Sequence, residues 1–185
     1  MAARNPHERT SRFLSLILRH APDTIGLVLD RNGWAVVAEL LDKAAAHGKP
    51  ITLETLREVV ATNDKQRFAF SEDGRRIRAS QGHSLRSVDL ELAPATPPAV
   101  LYHGTASRFV AAIRQLGLKP GARQHVHLSA DRGTAVKVGS RYGVPVVLEV
   151  RAGELHAQGH VFYQADNGVW LAGAVPARFI VFPGK

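Results

Sequence analysis

Two histidines one residue apart, in His125-Val126-His127, are the first residues whose spacing could do chemistry. Because side chains alternate between the faces of a strand, His125 and His127 would point the same way, like two ligands of a metal ion. The sequence has no cysteine, and Asp131 is the one carboxylate close by, so a third ligand would come from a distant segment. The pattern favours histidines in a ligand pocket or on the surface, and we expect no metal.

His103 is a second candidate for ligand contact. It lies between Tyr102 and Gly104 at the end of a predicted strand, where a glycine lets a ligand approach the backbone closely. The motifs G-x-G-x-x-G, G-x-x-x-x-G-K-[ST], H-E-x-x-H and G-x-S-x-G do not occur. A Rossmann dinucleotide site and a P-loop are therefore unsupported.

Positive charge is unevenly distributed along the chain. The 185 residues carry 24 lysines and arginines against 16 aspartates and glutamates, a net charge of +8, which favours an anionic partner such as nucleic acid. Residues 1–93 hold 14 basic and 12 acidic residues (net +2), and residues 94–185 hold 10 and 4 (net +6). Few carboxylates are typical of a phosphate-binding region, and chance produces the same deficit in a short segment.

A proline-rich stretch, Ala93-Pro94-Ala95-Thr96-Pro97-Pro98, suggests where the chain divides. Prolines are poorly tolerated inside helices and sheets, so we predict modules at 1–93 and 100–185 joined by a linker at 94–99. The absence of cysteine excludes a disulfide scaffold and a thiolate zinc site. The N-terminal residues lack the apolar core of a signal peptide, and no apolar run is long enough to span a membrane. We expect a soluble, cytoplasmic protein.

The first module is predicted to contain three helices followed by a β-hairpin, the element order of a winged helix. The first helix should begin with Asn5 as N-cap and Pro6 at its first position, and end by Ala21, which precedes Pro22. The other expected elements are a strand at 24–29, a turn at 30–33, helices at 36–46 and from Thr52, and hairpin strands at 67–71 and 76–80.

The second module is predicted to be a compact α+β unit with a split antiparallel sheet. Its expected strands are 100–105, 125–129, 144–150, 160–163, 169–171 and 179–182, and its expected helices are 107–115 and 131–138. The apolar run at 144–150 is typical of a central strand.

Six short segments occur in a fixed order across both predicted modules: Leu18-Arg19-His20, Asn63-Asp64-Lys65-Gln66-Arg67-Phe68, Gln81-Gly82-His83-Ser84, Tyr102-His103-Gly104-Thr105, His125-Val126-His127-Leu128-Ser129 and Asn167-Gly168-Val169-Trp170-Leu171. Together they resemble the tRNA 2′-phosphotransferase family. The resemblance implies an α+β fold, with an N-terminal winged-helix lobe that binds RNA and a C-terminal ADP-ribosyltransferase-like lobe with a split sheet that binds NAD.

The resemblance also implies a reaction that consumes NAD+ as a co-substrate and uses no metal. An internal RNA 2′-phosphate would attack C1″ of the nicotinamide riboside and expel nicotinamide, forming a 2′-phospho-ADP-ribosylated RNA intermediate. The ADP-ribose 2″-hydroxyl would then attack the phosphate, giving 2′-hydroxyl RNA and ADP-ribose 1″,2″-cyclic phosphate. In fungi and animals this reaction completes tRNA splicing.

The site residues implied by the resemblance fall into two sets. Arg19, His20, Arg67 and Arg123 would handle the phosphate, with Arg132 or Arg141 as alternatives to Arg123. Arginine binds phosphate through two hydrogen bonds, and histidine titrates near neutrality. Because these residues fall in both modules, we expect the active site in the cleft between them. The implied NAD contacts are Tyr102, His103, Gly104, Thr105, His127, Ser129 and Asn167.

Several alternatives stay open at this stage. ADP-ribosylation of a terminal phosphate of DNA or RNA would use the same pocket and stop after the first step. A winged-helix regulator with a ligand-sensing lobe would consume no NAD+. His83 either contacts RNA phosphate or closes the hairpin, and the arginines at 75, 76 and 78 either hold RNA or form a solvated hairpin. Trp34 and Trp170 are expected to pack, and the protein is expected to be a monomer.

Overall fold

The computed structural model describes residues 7–63 and 65–184, and the chain divides into two compact units between Glu91 and Leu92. Each unit mixes helices with small antiparallel sheets. The predicted helix start at Asn5 and Pro6 lies outside the described residues. Among the helices described, none is both long and apolar enough to cross a membrane.

In its described residues, the first unit packs three α-helices against a three-stranded sheet. Its elements are α1 (Glu8–Arg19), β1 (Ala35–Val36), α2 (Val37–Ala46), α3 (Leu53–Ala61), β2 (Phe68–Phe70) and β3 (Arg76–Ala79). Strand β3 is central and pairs antiparallel with β1 and β2. The core is formed by apolar side chains from these helices and strands, including Leu14, Leu18, Leu40, Leu56 and Ile77. The three helices and the hairpin predicted from the sequence are confirmed.

The strand predicted at 24–29 is wrong, because this part of the chain begins with a 3₁₀ turn at Pro22–Ile25. Proline suits the first position of such a turn, and Gly26 ends it with a φ of 65°, in the left-handed region that favours glycine. The backbone N–H of Leu27 bonds the carbonyl of Pro22 at 2.9 Å. Ile25 and Leu27 are nevertheless buried, so the apolar pattern reflected burial in the core and not a strand.

The second unit contains two three-stranded antiparallel sheets and three helices in its described residues. Its elements are β4 (Leu101–Ala106), α4 (Val110–Leu116), β5 (Val126–Leu128), α5 (Arg132–Gly139), β6 (Pro145–Val150), α6 (Ala152–Ala157), β7 (Phe162–Gln164), β8 (Trp170–Ala172) and β9 (Ile180–Val181). The strand orders are β4-β6-β9 and β5-β8-β7, so β6 is central as predicted. Helix α6 was not predicted, because only Ala152 and Leu155 in it are buried and two residues make no helical pattern.

The two sheets of the second unit are joined by backbone hydrogen bonds between β4 and the residue that follows β5. The backbone N–H of Tyr102 bonds the carbonyl of Ser129, and the reverse bond also forms, both at 2.8 Å. Residues 94 and 95 of the expected linker pair with β7. Pro94 bridges Tyr163, and the Ala95 N–H bonds the Phe162 carbonyl at 2.8 Å. This stretch therefore packs on the second unit.

Candidate functional site

Arg19 is the last residue of α1, and only 8% of its surface is exposed. Its Nη2 lies 3.5 Å from the carbonyl oxygen of Arg67, and its Cζ lies 5.9 Å from the centre of the Phe68 ring. The backbone of Gly82 flanks the same guanidinium, since a Cβ at Gly82 would lie 3.6 Å from Arg19 Nη1. The fold thus brings the Arg19 guanidinium to the beginning of β2, next to Arg67.

The side chain of Arg67 is oriented by Asn63. Arg67 Nη1 donates to Asn63 Oδ1 at 3.2 Å, and the same oxygen accepts the backbone N–H of Lys65 at 3.2 Å. Asn63 is buried, and its Nδ2 lies 3.4 Å from Ser11 Oγ on α1. Sequence reasoning quoted Asn63 within a motif but assigned it no role. The burial of the Asn63 amide would have indicated its role, but a single sequence does not reveal burial.

His20 is held by the segment that follows β3. Its Nδ1 lies 3.0 Å from Ser84 Oγ, and the Ser84 backbone N–H donates to the carbonyl of Arg19 at 3.0 Å. Ser84 therefore contacts two consecutive candidate residues at once. Arg19 and His20, at the C-terminal end of α1, thus contact the backbone of Arg67 and the side chain of Ser84, which lie 48 and 64 positions further along the chain.

His83 lies inside the first unit, with 2% of its surface exposed. Burial lowers its pKa to about 4, and the nearby positive charges of Arg19, His20 and Arg78 act in the same direction. The imidazole is therefore uncharged at neutral pH. Of the two roles left open for His83, burial supports closing the hairpin and not contacting RNA phosphate.

The arginines of the hairpin stack on Trp34. The Cζ atoms of Arg76 and Arg78 lie 5.6 and 4.5 Å from the centre of the Trp34 ring, and Arg76 Nη1 lies 3.5 Å from Asp30 Oδ2. Trp34 thus packs against guanidinium groups by cation–π contact. Trp170 packs in the core of the second unit. Both tryptophans pack, as predicted.

In the second unit, His103 is fixed by a backbone carbonyl. Its Nδ1 lies 3.0 Å from the carbonyl oxygen of His127 on the neighbouring strand β5. A carbonyl only accepts, so Nδ1 carries the proton and donates, and Nε2 of the neutral ring is the acceptor. Burial lowers the pKa of His103, which favours this neutral form.

Gly104 is required by helix packing, which corrects the reason that the sequence suggested. A Cβ at Gly104 would lie 1.8 Å from the carbonyl oxygen of Ala135 in α5, a distance that no side chain tolerates. The contact is reciprocal, since a Cβ at Gly139 would lie 2.5 Å from the carbonyl oxygen of Thr105. The close approach at Gly104 is therefore that of a helix backbone, whereas the sequence suggested a ligand.

Of the three arginines considered for the phosphate site in this unit, Arg123 is the one in contact with a predicted site residue. Its Nη1 lies 3.4 Å from Nδ1 of His127. Arg132 pairs with Glu149 at 3.0 Å, and Arg141 is exposed just beyond the end of α5. The geometry favours Arg123 over the other two.

Two other predicted site residues stabilise turns. The hydroxyl of Ser129 accepts the backbone N–H of Asp131 at 3.0 Å, and Asn167 Oδ1 accepts that of Val169 at 3.3 Å, across a turn where Gly168 has a φ of 77°. The hydroxyl-bearing Thr105 is buried. Contacts of these residues with a bound molecule stay predictions.

The alternation expected around His127 is confirmed. Val126 and Leu128 are buried in the core, whereas His125, His127 and Ser129 are partly exposed. The His125 ring packs edge-on against Tyr163, with centroids 5.6 Å apart. Within residues 7–63 and 65–184, no group of three or more His, Cys, Asp or Glu side chains could hold a metal ion. That both modules contribute to one active site stays a prediction.

Comparison with known proteins extends over most of the chain. Residues 5–174 match the RNA 2′-phosphotransferase, Tpt1/KptA family. A probable RNA 2′-phosphotransferase of Pseudomonas paraeruginosa is 61% identical over 171 residues, covering 92% of this chain and 94% of that protein. A probable RNA 2′-phosphotransferase of Agrobacterium fabrum is also 61% identical, and the match covers 92% of this chain and 91% of that protein. A third, of Burkholderia lata, is 60% identical, and the match covers 93% of this chain and 89% of that protein.

Proposed function

This chain belongs to the RNA 2′-phosphotransferase family and is an enzyme that removes a 2′-phosphate from RNA, and from this premise we propose that NAD+ accepts the phosphate. The proposed products are 2′-hydroxyl RNA, nicotinamide and ADP-ribose 1″,2″-cyclic phosphate. In this proposal the first unit is a winged-helix lobe that binds RNA, and the second is an ADP-ribosyltransferase-like lobe that binds NAD+.

The observation that carries the proposal is the placement of Arg19 and His20 in the first unit: the buried Arg19 guanidinium lies 3.5 Å from the backbone carbonyl of Arg67, and the His20 ring is held by Ser84. Keeping the Arg19 guanidinium buried costs free energy in the absence of an anion. A phosphate would offset this cost, because it accepts two hydrogen bonds from each arginine. These residues are therefore suited to bind the 2′-phosphate of RNA.

His103 supports NAD+ as the second substrate. When bound, NAD+ would supply an electrophilic ribose carbon with nicotinamide as its leaving group. The nicotinamide ring of NAD+ is positively charged, and the neutral His103 imidazole adds no opposing charge. Its Nε2 can accept a hydrogen bond from a ribose hydroxyl, since Nδ1 is used by the His127 carbonyl.

The chemical roles follow from what each group can do. Arg19, Arg67 and Arg123 would neutralise the phosphate and hold it in line with the carbon it attacks, which needs no strong base because the phosphate is already an anion. His20 would transfer a proton in the second step, when a hydroxyl attacks the phosphate and the RNA 2′-oxygen leaves. His103, Thr105, His127, Ser129 and their neighbours Tyr102, Gly104 and Asn167 would form the NAD+ site.

The test is release of nicotinamide by the purified protein. We expect release with NAD+ and an oligonucleotide that carries one internal 2′-phosphate, and none with the same oligonucleotide without that phosphate. Failure of the phosphorylated oligonucleotide to trigger release would contradict the proposal.

The products decide between this reaction and ADP-ribosylation of terminal phosphates. We expect free ADP-ribose 1″,2″-cyclic phosphate and RNA with a 2′-hydroxyl, both identified by mass spectrometry. A stable ADP-ribose cap on a 5′- or 3′-phosphorylated oligonucleotide, with no cyclic product from the internal 2′-phosphate, would show that the reaction stops after its first step.

A further inference from the structure

Residues 80–84, which we call the 80–84 segment, contact all three candidate phosphate residues of the first unit. The Ser80 backbone N–H donates to the carbonyl of Arg67 at 2.9 Å. Gly82, with a φ of 88°, runs along the guanidinium of Arg19. Ser84 bonds the Arg19 carbonyl through its backbone and the His20 ring through its hydroxyl. One short segment thus ties the end of α1 to the beginning of β2.

The 80–84 segment is anchored by burial of its middle residue. His83 is enclosed by the first unit and packs against the turn at 30–33, where a Cβ at Gly33 would lie 3.2 Å from His83 Nε2. The Ser80 hydroxyl adds a second anchor, because it donates to the carbonyl of Gln66 at 2.8 Å. An anchored segment can hold Ser84 at a fixed position beside His20.

A hydroxyl beside His20 matters for its chemistry. A histidine ring transfers a proton efficiently only when the correct nitrogen faces the reacting group, and a hydrogen bond at one ring nitrogen decides which form the other takes. The Ser84 hydroxyl contacts Nδ1 and so acts on one of the two ring nitrogens of His20. This arrangement is expected of a group that orients a proton-transferring histidine.

We propose that Ser84 is a positioning residue, which orients the His20 ring for proton transfer while the 80–84 segment holds Arg19 beside it. The inference rests on the proposed function, in which His20 moves the proton. Ser84 itself does not touch the reacting atoms in this proposal, so its removal should slow the reaction without weakening RNA binding.

The kinetic test compares three variants in the nicotinamide-release assay. We expect Ser84→Ala to lower kcat by about 10- to 100-fold with KM for the 2′-phosphorylated oligonucleotide unchanged. Ser84→Thr restores a hydroxyl and should recover most of kcat. Ser87→Ala removes an exposed hydroxyl three residues further along the chain and should behave as wild type. Wild-type kcat in Ser84→Ala, or an equal loss in Ser84→Thr, would overturn the proposal.

A spectroscopic test separates this inference from the proposed function. Nitrogen-15 NMR of the His20 ring reports which nitrogen carries the proton, whether or not the protein is active. We expect the Nδ1 signal to change in Ser84→Ala, because that nitrogen loses its hydroxyl partner. If the wild type releases no nicotinamide, the proposed function fails while the NMR comparison still tests the Ser84–His20 contact. Identical His20 spectra in both proteins would refute the positioning role.

Discussion

The candidate residues of the two units are held by different kinds of contact. In the first unit, Arg19 contacts a residue 48 positions away and His20 one 64 positions away. In the second, Ser129 and Asn167 bond backbone two residues further on, and Arg123 contacts a residue four positions away. Long-range contacts therefore place Arg19 and His20, whereas the side chain of Arg67 bonds a residue four positions away. In the second unit most of these contacts are local, but His103 bonds a carbonyl 24 positions away.

Net charge does not indicate which part of the chain contains the candidate phosphate residues. Residues 94–185 carry +6 and residues 1–93 only +2, yet Arg19, His20 and Arg67 all lie in the less charged part. The proposed phosphate role of the first unit depends on a few residues placed by the fold, of which Arg19 is buried. Coulomb energy depends on distance and local polarity, so total charge does not locate a site.

The largest effect is expected from Arg67→Ala, if the first unit carries the phosphate chemistry. We expect kcat to fall about 100- to 1000-fold, as when one donor that stabilises developing charge is removed. Nicotinamide release measures the rate, and circular dichroism checks the fold. Arg57→Ala, an exposed arginine on α3, is the matched control and should retain wild-type activity. A wild-type kcat in correctly folded Arg67→Ala would show that Arg67 does not take part in the phosphate chemistry.

The second unit should depend instead on backbone packing at Gly104. We expect Gly104→Ala to destabilise it by about 3 kcal/mol, because the new methyl group would overlap the carbonyl of Ala135. Gly173→Ala, where nothing lies within 4 Å of the added Cβ, is the control. Urea unfolding in a Trp34→Phe background lets Trp170 fluorescence report the second unit alone. Equal midpoints for the two variants would contradict this packing.

The stability of the first unit should fall in mild acid because of His83. Its folded-state pKa, about 4, is below the ordinary histidine value of 6.5, so the unfolded chain binds the extra proton first. The stabilising contribution is complete above pH 6.5 and is lost as pH falls toward 4, about 2–3 kcal/mol in all.

Urea unfolding at several pH values between 7.5 and 4 measures this dependence. His83→Gln, which cannot titrate, should show a shallower decline than the wild type over that window. The lowered pKa values of Asp73 and Asp131 affect stability only below about pH 4, outside the window. Parallel curves for the two proteins would mean that His83 is not the group responsible.

A smaller effect is expected at the proposed NAD+ site. His103→Ala should raise KM for NAD+ about tenfold, the equivalent of one or two hydrogen bonds, and leave binding of the phosphorylated oligonucleotide unchanged. His156→Ala is the matched control, because His156 Nδ1 lies 3.1 Å from the His160 carbonyl in a similar contact. A raised KM for RNA and not for NAD+ would reverse the assignment of the two units.

The smallest effects are expected at the helix caps. Thr52 Oγ1 accepts the Thr55 N–H at 3.1 Å in the first unit, and Asp131 Oδ2 accepts the Thr134 N–H at 2.5 Å in the second. Thr52→Ala should cost about 1 kcal/mol of stability, and Asp131→Ala should also lower stability, because each removes a helix cap. Urea unfolding followed by Trp34 and Trp170 fluorescence, each in the background lacking the other tryptophan, should shift only for the unit that carries the change. A shift of both signals by either variant would show that the units unfold together.

Local signals in the sequence were enough for most elements. Thr52 before an apolar stripe predicted α3, and the buried Val126 and Leu128 on either side of His127 followed from strand alternation. Predictions failed where the same apolar pattern is compatible with more than one backbone conformation. At 24–29 the buried residues belong to a 3₁₀ turn and the chain after it, because a proline and a glycine favour that turn locally.

Within the candidate site, residue type and motif were visible in the sequence, but partners were not. Asn63 and Ser84 lie in two of the six motif segments, but only the structure shows that they contact Arg67 and His20. The glycine at 104 was correctly singled out for a close approach, and the approaching group is the backbone of α5. A glycine in the sequence indicates that another group approaches the backbone closely, but it does not show which group that is.

The sequence by itself determined the family, the helices and strands with strong caps or alternation, and the arginines and histidines available for phosphate chemistry. These depend on residue type and on neighbours within a few positions, where backbone sterics and side-chain alternation act. Only the tertiary structure decided that Ser84 holds His20, that Ser80 bonds the carbonyl of Arg67 and that His83 is buried and neutral. Such facts depend on burial and on contacts between distant segments, since desolvation and hydrogen bonding act on atoms that meet only after folding.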